Sequence, residues 1–322
     1  MNHFDVINPG ILSLLQDAGR LGRHQIGLTS GGPLDPEAFY WANRLCNIPG
    51  DSNTSNSNPE NNTTIEITVG GLQLKANTDT HIAVTGADMP LTINGEPRET
   101  WRSQAVSAGD SIQLGYASEG CRAYLAVAGG FQIEPMFGSS ATVVREGIGG
   151  LSGTALQQGD KLPCGEYRSA QHWQLQESDR PHYGKQITLR VIPGYQQHSF
   201  SRFQQRLFFH NTYTVSDRCD RMGYRLEGPK LVSSIEGILS EGICLGAIQV
   251  PADGQPIILM NDRQTIGGYP KIGSVLSLDL AKLAQLTPGG KVNFAAITMD
   301  CARNALHLAQ SRLQSIALEP CQ

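Results

Sequence analysis

Apolar and polar residues alternate along most of this chain in short runs. Residues 65–69 read Ile-Glu-Ile-Thr-Val, and a similar two-residue beat returns at 81–85, 111–114, 188–192 and 291–294. The runs at 124–127, 247–250 and 256–260 are more uniformly apolar. Many of their residues are β-branched, and Gly, Pro, Asn or Asp recur between the runs, which is the pattern of strands joined by tight turns. Many such runs at close spacing predict barrels or sandwiches. Helical periodicity is confined to three segments. Residues 34–44 start with Asp35 as a cap and Pro36 in the first turn, and Phe39, Ala42 and Leu45 share a face. Residues 279–286 align Leu280, Leu283 and Leu286, and residues 300–318 keep Ala302, Leu306, Ala309, Leu313 and Ile316 in phase. The pattern predicts a mainly β protein with a few short helices.

Two stretches lack the beat. Residues 51–62 are polar and rich in Asn and Ser, too poor in apolar surface to offset the entropy of ordering, and are expected to be a surface loop. Residues 171–183 are also polar and are expected to join two halves, an N-terminal domain over 1–185 and a C-terminal one over 186–322. The halves share a rhythm. Residues 6–10 resemble 191–194, residues 70–74 (after Glu66) resemble 246–250 (after Glu241), and residues 108–114 resemble 288–294. This order points to a duplicated barrel, with ligand chemistry expected in a cleft between copies.

Length agrees, since 322 residues make about two domains at roughly 150 each. With 25 basic and 29 acidic residues the net charge is −4, without the basic footprint of a general nucleic-acid binder. No apolar run approaches the ~18 residues of a membrane span. The first residues carry neither a basic nor an apolar leader pattern, and the 7 cysteines are scattered without C-x-x-C. A cytoplasmic protein with reduced thiols is expected.

Candidate chemistry gathers in three places. Residues 216–228 hold Asp217, Arg218, Asp220, Arg221, Arg225 and Glu227; the arginines could grip a carboxylate or phosphate, and an ion-pair network at a barrel rim explains them more simply. Glu241, Gln249 and the run Asp262-Arg263-Gln264-Thr265-Ile266-Gly267-Gly268-Tyr269 follow strongly apolar strands, and Gly267-Gly268 could cradle an anion. In the first half, Gln16, Asp17 and Arg20 border a Gly-rich loop. There Ser30-Gly31-Gly32, leading into the first helix, is a further anion candidate that capping by Asp35 explains equally well. There is no P-loop, H-E-x-x-H or G-x-S-x-G motif. The 8 histidines lack metal-ligand spacing, and no Met-Lys-Met marks a biotin attachment site.

Longer motifs carry a resemblance. They are S-x-x-Q-D-x-G-R-x-G (13–22), S-G-x-x-x-D (30–35), A-N-R-L (42–45), T-G-A-D (85–88), Y-L-A-V-A-G-G (124–130), G-S-x-x-T (138–142), D-R-M-G-Y-R-L-E-G (220–228), S-E-G (240–242), G-A-I-Q-V-P-x-D-G-Q-P-I (246–257) and D-R-Q-T-x-G-G-Y-P (262–270). Together they resemble the biotin-dependent carboxyltransferase A/B-type family, whose members are described as the C subunit of 5-oxoprolinase, as the second subunit of allophanate hydrolase or as the Kip antagonist. The resemblance covers nearly the whole chain. Cys219 departs from the family's usual Ser, and residues 51–62 lengthen a normally short connection.

The resemblance implies two tandem cyclophilin-like β-barrel domains in a cytoplasmic complex with the B and A subunits of 5-oxoprolinase. That complex would open 5-oxo-L-proline to L-glutamate with ATP, magnesium entering with the nucleotide and no biotin attached to this chain. On this reading Asp220, Arg221, Glu241, Asp262 and Arg263 are the candidate catalytic residues. Arg225, Gln249, Thr265, Gly267, Gly268, Tyr269, Gln16, Asp17 and Arg20 are candidate substrate contacts, and no resident metal is expected. Two alternatives stay open: a regulatory binding protein antagonising a histidine-kinase inhibitor, and a biotin-dependent carboxyltransferase acting on urea or a similar amide.

Overall fold

The computed structural model describes residues 2–46, 62–167 and 171–321. The expected loop at 51–62 therefore lies, apart from Asn62, outside the described residues. The chain divides into two compact units, one of Met1–Leu21, Gly31–Tyr183 and Ala317–Gln322, the other of Gly22–Ser30 and Gly184–Ile316. The mainly β fold class anticipated above is the one observed. Every strand-like run named above overlaps a strand, and the three helical segments overlap helices whose ends differ from the expected ones by up to three residues. Among the described residues no helix is long and apolar enough to cross a membrane.

In the first unit two large sheets enclose one core, and His172–Gln174 pairs with Glu319–Cys321 in a separate two-stranded ribbon. A six-stranded sheet runs in the order Lys161–Pro163, His3–Pro9, Leu72–Ala76, Ser111–Leu114, Leu91–Ile93, Glu96–Arg98; a five-stranded sheet runs Leu12–Gln16, Thr64–Thr68, Glu119–Val127, Thr80–Asp88, Ser103–Val106. Alternation places Phe4, Leu74, Ile82 and Leu125 in a single cluster between them, each almost fully buried. The first helix, α1 (Pro36–Cys46), starts as expected. Asp35 Oδ1 accepts from the Ala38 N–H at 3.1 Å, and Phe39, Ala42 and Leu45 are buried.

The second unit holds a closed barrel. Its order is Gln186–Pro193, Lys271–Val275, Ala247–Gln249, Ile257–Leu259, Gly223–Glu227, Tyr213–Cys219, Lys291–Ala296, the last strand returning parallel to the first. Beside it lies a short ribbon in which Glu241–Gly242 pairs with Ile266–Gly267. Helix α2 (Arg202–His210) was not anticipated. It is capped by Ser201, and its Phe208 stacks on Phe294 with centroids 4.2 Å apart. Helices α3 (Ser277–Ala284) and α4 (Met299–Ser315) match the expected segments, with Thr298 capping α4.

The internal repeat does not extend to strand pairing. Leu72–Ala76 pairs directly with His3–Pro9, whereas its counterpart Ala247–Gln249 is separated from Gln186–Pro193 by Lys271–Val275. Alternation reports which residues face a core and is blind to which strand lies alongside.

Candidate functional site

In the second unit a cleft of about 270 Å³ is lined by Gly194, Tyr195, Gln196, Glu241, Gly242, Cys244, Lys271, Gly273 and Ser274. Four side chains meet there. Glu241 projects from the ribbon, Lys271 from the barrel strand Lys271–Val275, and Tyr195 and Gln196 from the 3-10 turn Tyr195–Ser199 that follows the first barrel strand. The Glu241 carboxylate accepts the Lys271 ammonium on Oε1 and the Tyr195 hydroxyl on Oε2, and Gln196 Nε2 donates to Oε1 at 2.9 Å. The other end of the Gln196 amide accepts the Lys271 backbone N–H at 2.9 Å, tying the turn to the strand. The hydrogen bonds from Lys271 and Tyr195 hold the Glu241 pKa below its ordinary value, and the bond to Glu241 raises that of Tyr195. The carboxylate therefore stays ionised and the phenol keeps its proton. On the same wall Cys244 Sγ lies 3.2 Å from Ser274 Oγ.

Of the sequence candidates, Glu241 lies in this cleft, and three others are close in the strand network. Gly267 pairs with Glu241, and Gln249 pairs with Lys271. A Cβ on Gly267 would sit 2.5 Å from Ile243 Cδ1 and 2.8 Å from Gln249 Nε2, so any larger residue there would have to displace the ends of both side chains. Gln249 is buried, and its Nε2 finds no hydrogen-bond partner among the described residues. Arg263 is buried beside Cys244. It donates to the carbonyls of Ile243 at 3.1 Å and Met260 at 3.3 Å, and burial pushes its pKa down against an opposing pull from the thiol. No carboxylate among the described residues pairs with Arg263. The backbone carbonyls of Thr265 and Gly268 accept from Ile243 and Ile238, and Tyr269 is half exposed.

The remaining candidates are engaged elsewhere. Arg221 and Asp262 form a buried two-pronged pair at 2.9 and 3.0 Å. Arg225 pairs with Asp253, and Asp220 is exposed, its carboxylate accepting the N–H groups of Met222 and Gly223. The simpler ion-pair explanation thus holds for Arg221 and Arg225. At Gly267-Gly268 neither glycine takes a left-handed φ, and Gly267 pairs with Glu241 in the ribbon beside the cleft.

Gln16, Asp17 and Arg20 lie in the first unit and grip its own backbone. Gln16 donates to Thr142 O and accepts from Gly32 N; Asp17 accepts from Ser139 Oγ and Ser140 N; Arg20 donates to the carbonyls of Met136, Ser139 and Ala141. The loop before α1 is corrected as an anion site on the same ground, since the N–H groups of Gly32, Leu34 and Asp35 are taken by Gln16, Glu66 and Tyr124.

Sequence reasoning missed Tyr195, Gln196, Lys271, Cys244 and Ser274. A Pro-Gly step at the end of a strand, followed by the polar run Tyr195–Ser199, was the available signal for the first two.

The family model for the carboxyltransferase domain, subdomain A and B, matches residues 26–296. The chain is 35% identical to the C subunit of 5-oxoprolinase from Escherichia coli (strain K12), covering 97% of each. It is 31% identical to a putative urea carboxylase of Emericella nidulans, over 99% of this chain and 26% of that one. The crystal structure of the K. lactis urea amidolyase superposes with a TM-score of 0.88 at 27% identity, over 98% of this chain and 20% of that one. The chain thus spans about a quarter or less of these urea enzymes and nearly all of the bacterial relative. It belongs to the carboxyltransferase subdomain A and B family, among relatives that are parts of enzymes.

Proposed function

We propose that this chain is the C subunit of an ATP-dependent 5-oxoprolinase, acting with the A and B subunits to open 5-oxo-L-proline to L-glutamate, and that the Glu241–Lys271 cleft receives the lactam. The supporting observation is the end-to-end match to a relative of that name, 97% of each chain at 35% identity. A lactam carbonyl is a poor electrophile, and phosphorylating its oxygen with ATP would activate it. Such a step needs donors and positive charge aimed at the oxygen. Lys271 supplies an ammonium at the cleft, and buried Arg263 adds positive charge behind Cys244.

ATP, with magnesium entering alongside its phosphates, is taken on this reading to be shared with the partner subunits. A second reading, carboxyl transfer to urea or a similar amide, is favoured by the superposition on urea amidolyase. The test is glutamate release from 5-oxo-L-proline and ATP by the A and B subunits, with and without this chain. Release that requires the chain is expected; equal rates without it overturn the reading.

A further inference from the structure

The cleft offers more than charge. Lys271 carries three ammonium protons, and its side chain bonds to the Glu241 carboxylate. Tyr195 gives its proton to Glu241, so its oxygen faces outward as an acceptor, with one long contact from Gln196 Nε2 at 3.4 Å. Lys271 and Tyr195 are bound to different oxygens of one carboxylate, which places a donor and an acceptor side by side. Gln196 holds the pair in place through Glu241 and the Lys271 backbone. Tyr195 is 72% exposed, so its outer lone pair is open to a ligand.

We infer that Lys271 and Tyr195 together read the edge of a cis-amide: Lys271 donates to its carbonyl oxygen, and Tyr195 accepts from its N–H. Glu241 is the positioning residue that sets their spacing and is not itself the proton carrier. A peptide bond in the trans form cannot present both groups on one edge, whereas a lactam or a urea must. The inference rests on the cleft being the substrate site and extends that reading to the chemical class recognised. It gives the lactam and urea readings a common basis. Recognition through two directional bonds also rejects near-isosteres, because a ligand lacking one group leaves a polar atom of the site unmatched.

The test uses four small probes whose binding is followed by ligand-observed NMR, on the full chain alone and in complex with the A and B subunits. The probes are 2-pyrrolidinone (N–H and C=O), N-methyl-2-pyrrolidinone and γ-butyrolactone (C=O only), and pyrrolidine (no carbonyl). The wild type should bind 2-pyrrolidinone about five- to ten-fold more tightly than the two probes without N–H. Tyr195→Phe, at an exposed position, should erase that preference while keeping the carbonyl probes ahead of pyrrolidine. Lys271→Met should erase the carbonyl preference.

Equal binding of all four probes by the wild type overturns the inference, as does a Tyr195→Phe variant that still favours the N–H probe. Binding of none, alone or in complex, also overturns it. If the N–H preference holds while no ATP-dependent glutamate release is found, the proposed reaction fails and the recognition chemistry stands.

Discussion

In the first unit, Gln16, Asp17, Arg20 and Glu66 spend their bonding capacity largely on backbone groups. Arg20 alone holds three carbonyls between Met136 and Ala141, and Glu66 accepts from Leu34 N and the Tyr124 hydroxyl. In the second unit, Glu241, Lys271, Tyr195 and Gln196 bond mainly to one another at the wall of a cleft. The residue types are nearly the same. The first arrangement fixes a loop and leaves little for a ligand; the second leaves ammonium protons and a phenol lone pair facing open space. Unspent hydrogen-bonding capacity, more than residue type, separates a candidate site from a structural network.

The sharpest way to break this comparison is to remove one member from each side. Arg20→Met strips three charge-assisted hydrogen bonds from a residue only 1% exposed and should cost about 3–5 kcal/mol, read from denaturant midpoints. Gly149, where a Cβ would lie 1.9 Å from Ala141 O, shows how tightly this loop is closed around the guanidinium. Glu241→Gln, at a partly buried ion pair on the cleft wall that keeps its hydrogen-bond acceptor, should cost less than Arg20→Met, about 1 kcal/mol, and act on turnover instead. Comparable stability losses in the two variants would erase the distinction.

Titration sharpens it further. Burial, reinforced by the neighbouring His172, lowers His81 in the first unit from 6.5 to about 4. The unfolded chain binds a proton below about 6.5 that the folded chain refuses until about 4. Stability should therefore fall as pH drops through that window and level off beneath it, by up to about 3 kcal/mol. His81→Gln should flatten this limb in pH-dependent unfolding, and an unchanged slope would count against it. The depressed Glu241 pKa has the carboxylate sign. Its contribution is present above the ordinary 4.5 and is lost as pH falls through the lower folded value, on the acid limb of turnover.

The sequence shows these two environments unequally. Strands and three helices were legible because alternation and the Asp35-Pro36 start are local signals. Helix α2 was missed although its apolar residues do fall on one side and Ser201 caps it; at nine residues, with Phe208 its one buried side chain, it is too short a run to stand out against its polar neighbours. Glu241 was legible through Ser-Glu-Gly, but a single lysine opening a strand, as Lys271 does, marks nothing by itself. Its meaning comes from strand register, which sets it opposite Gln249, and from a turn 75 residues away in sequence that supplies Gln196. Arg221 and Arg225 pair with Asp262 and Asp253, partners outside the 216–228 segment, so the one-dimensional pattern favoured ion pairing there without naming the acids that complete it.

Asp220 gives the smallest expected effect and the most direct check on that arginine-rich segment. It sits between strands Tyr213–Cys219 and Gly223–Glu227, where Oδ1 accepts the N–H groups of Met222 and Gly223 at 2.8 and 3.1 Å. Asparagine keeps that acceptor and removes only the charge, so Asp220→Asn should shift stability by no more than about 0.5 kcal/mol. Turnover of the reconstituted complex should stay at the wild-type rate, while Tyr195→Phe lowers it. A collapse of turnover in Asp220→Asn, with unfolding midpoints unchanged, would place the chemistry at this exposed turn, because a carboxylate needed only for turn geometry has no reason to be missed once its oxygen is retained.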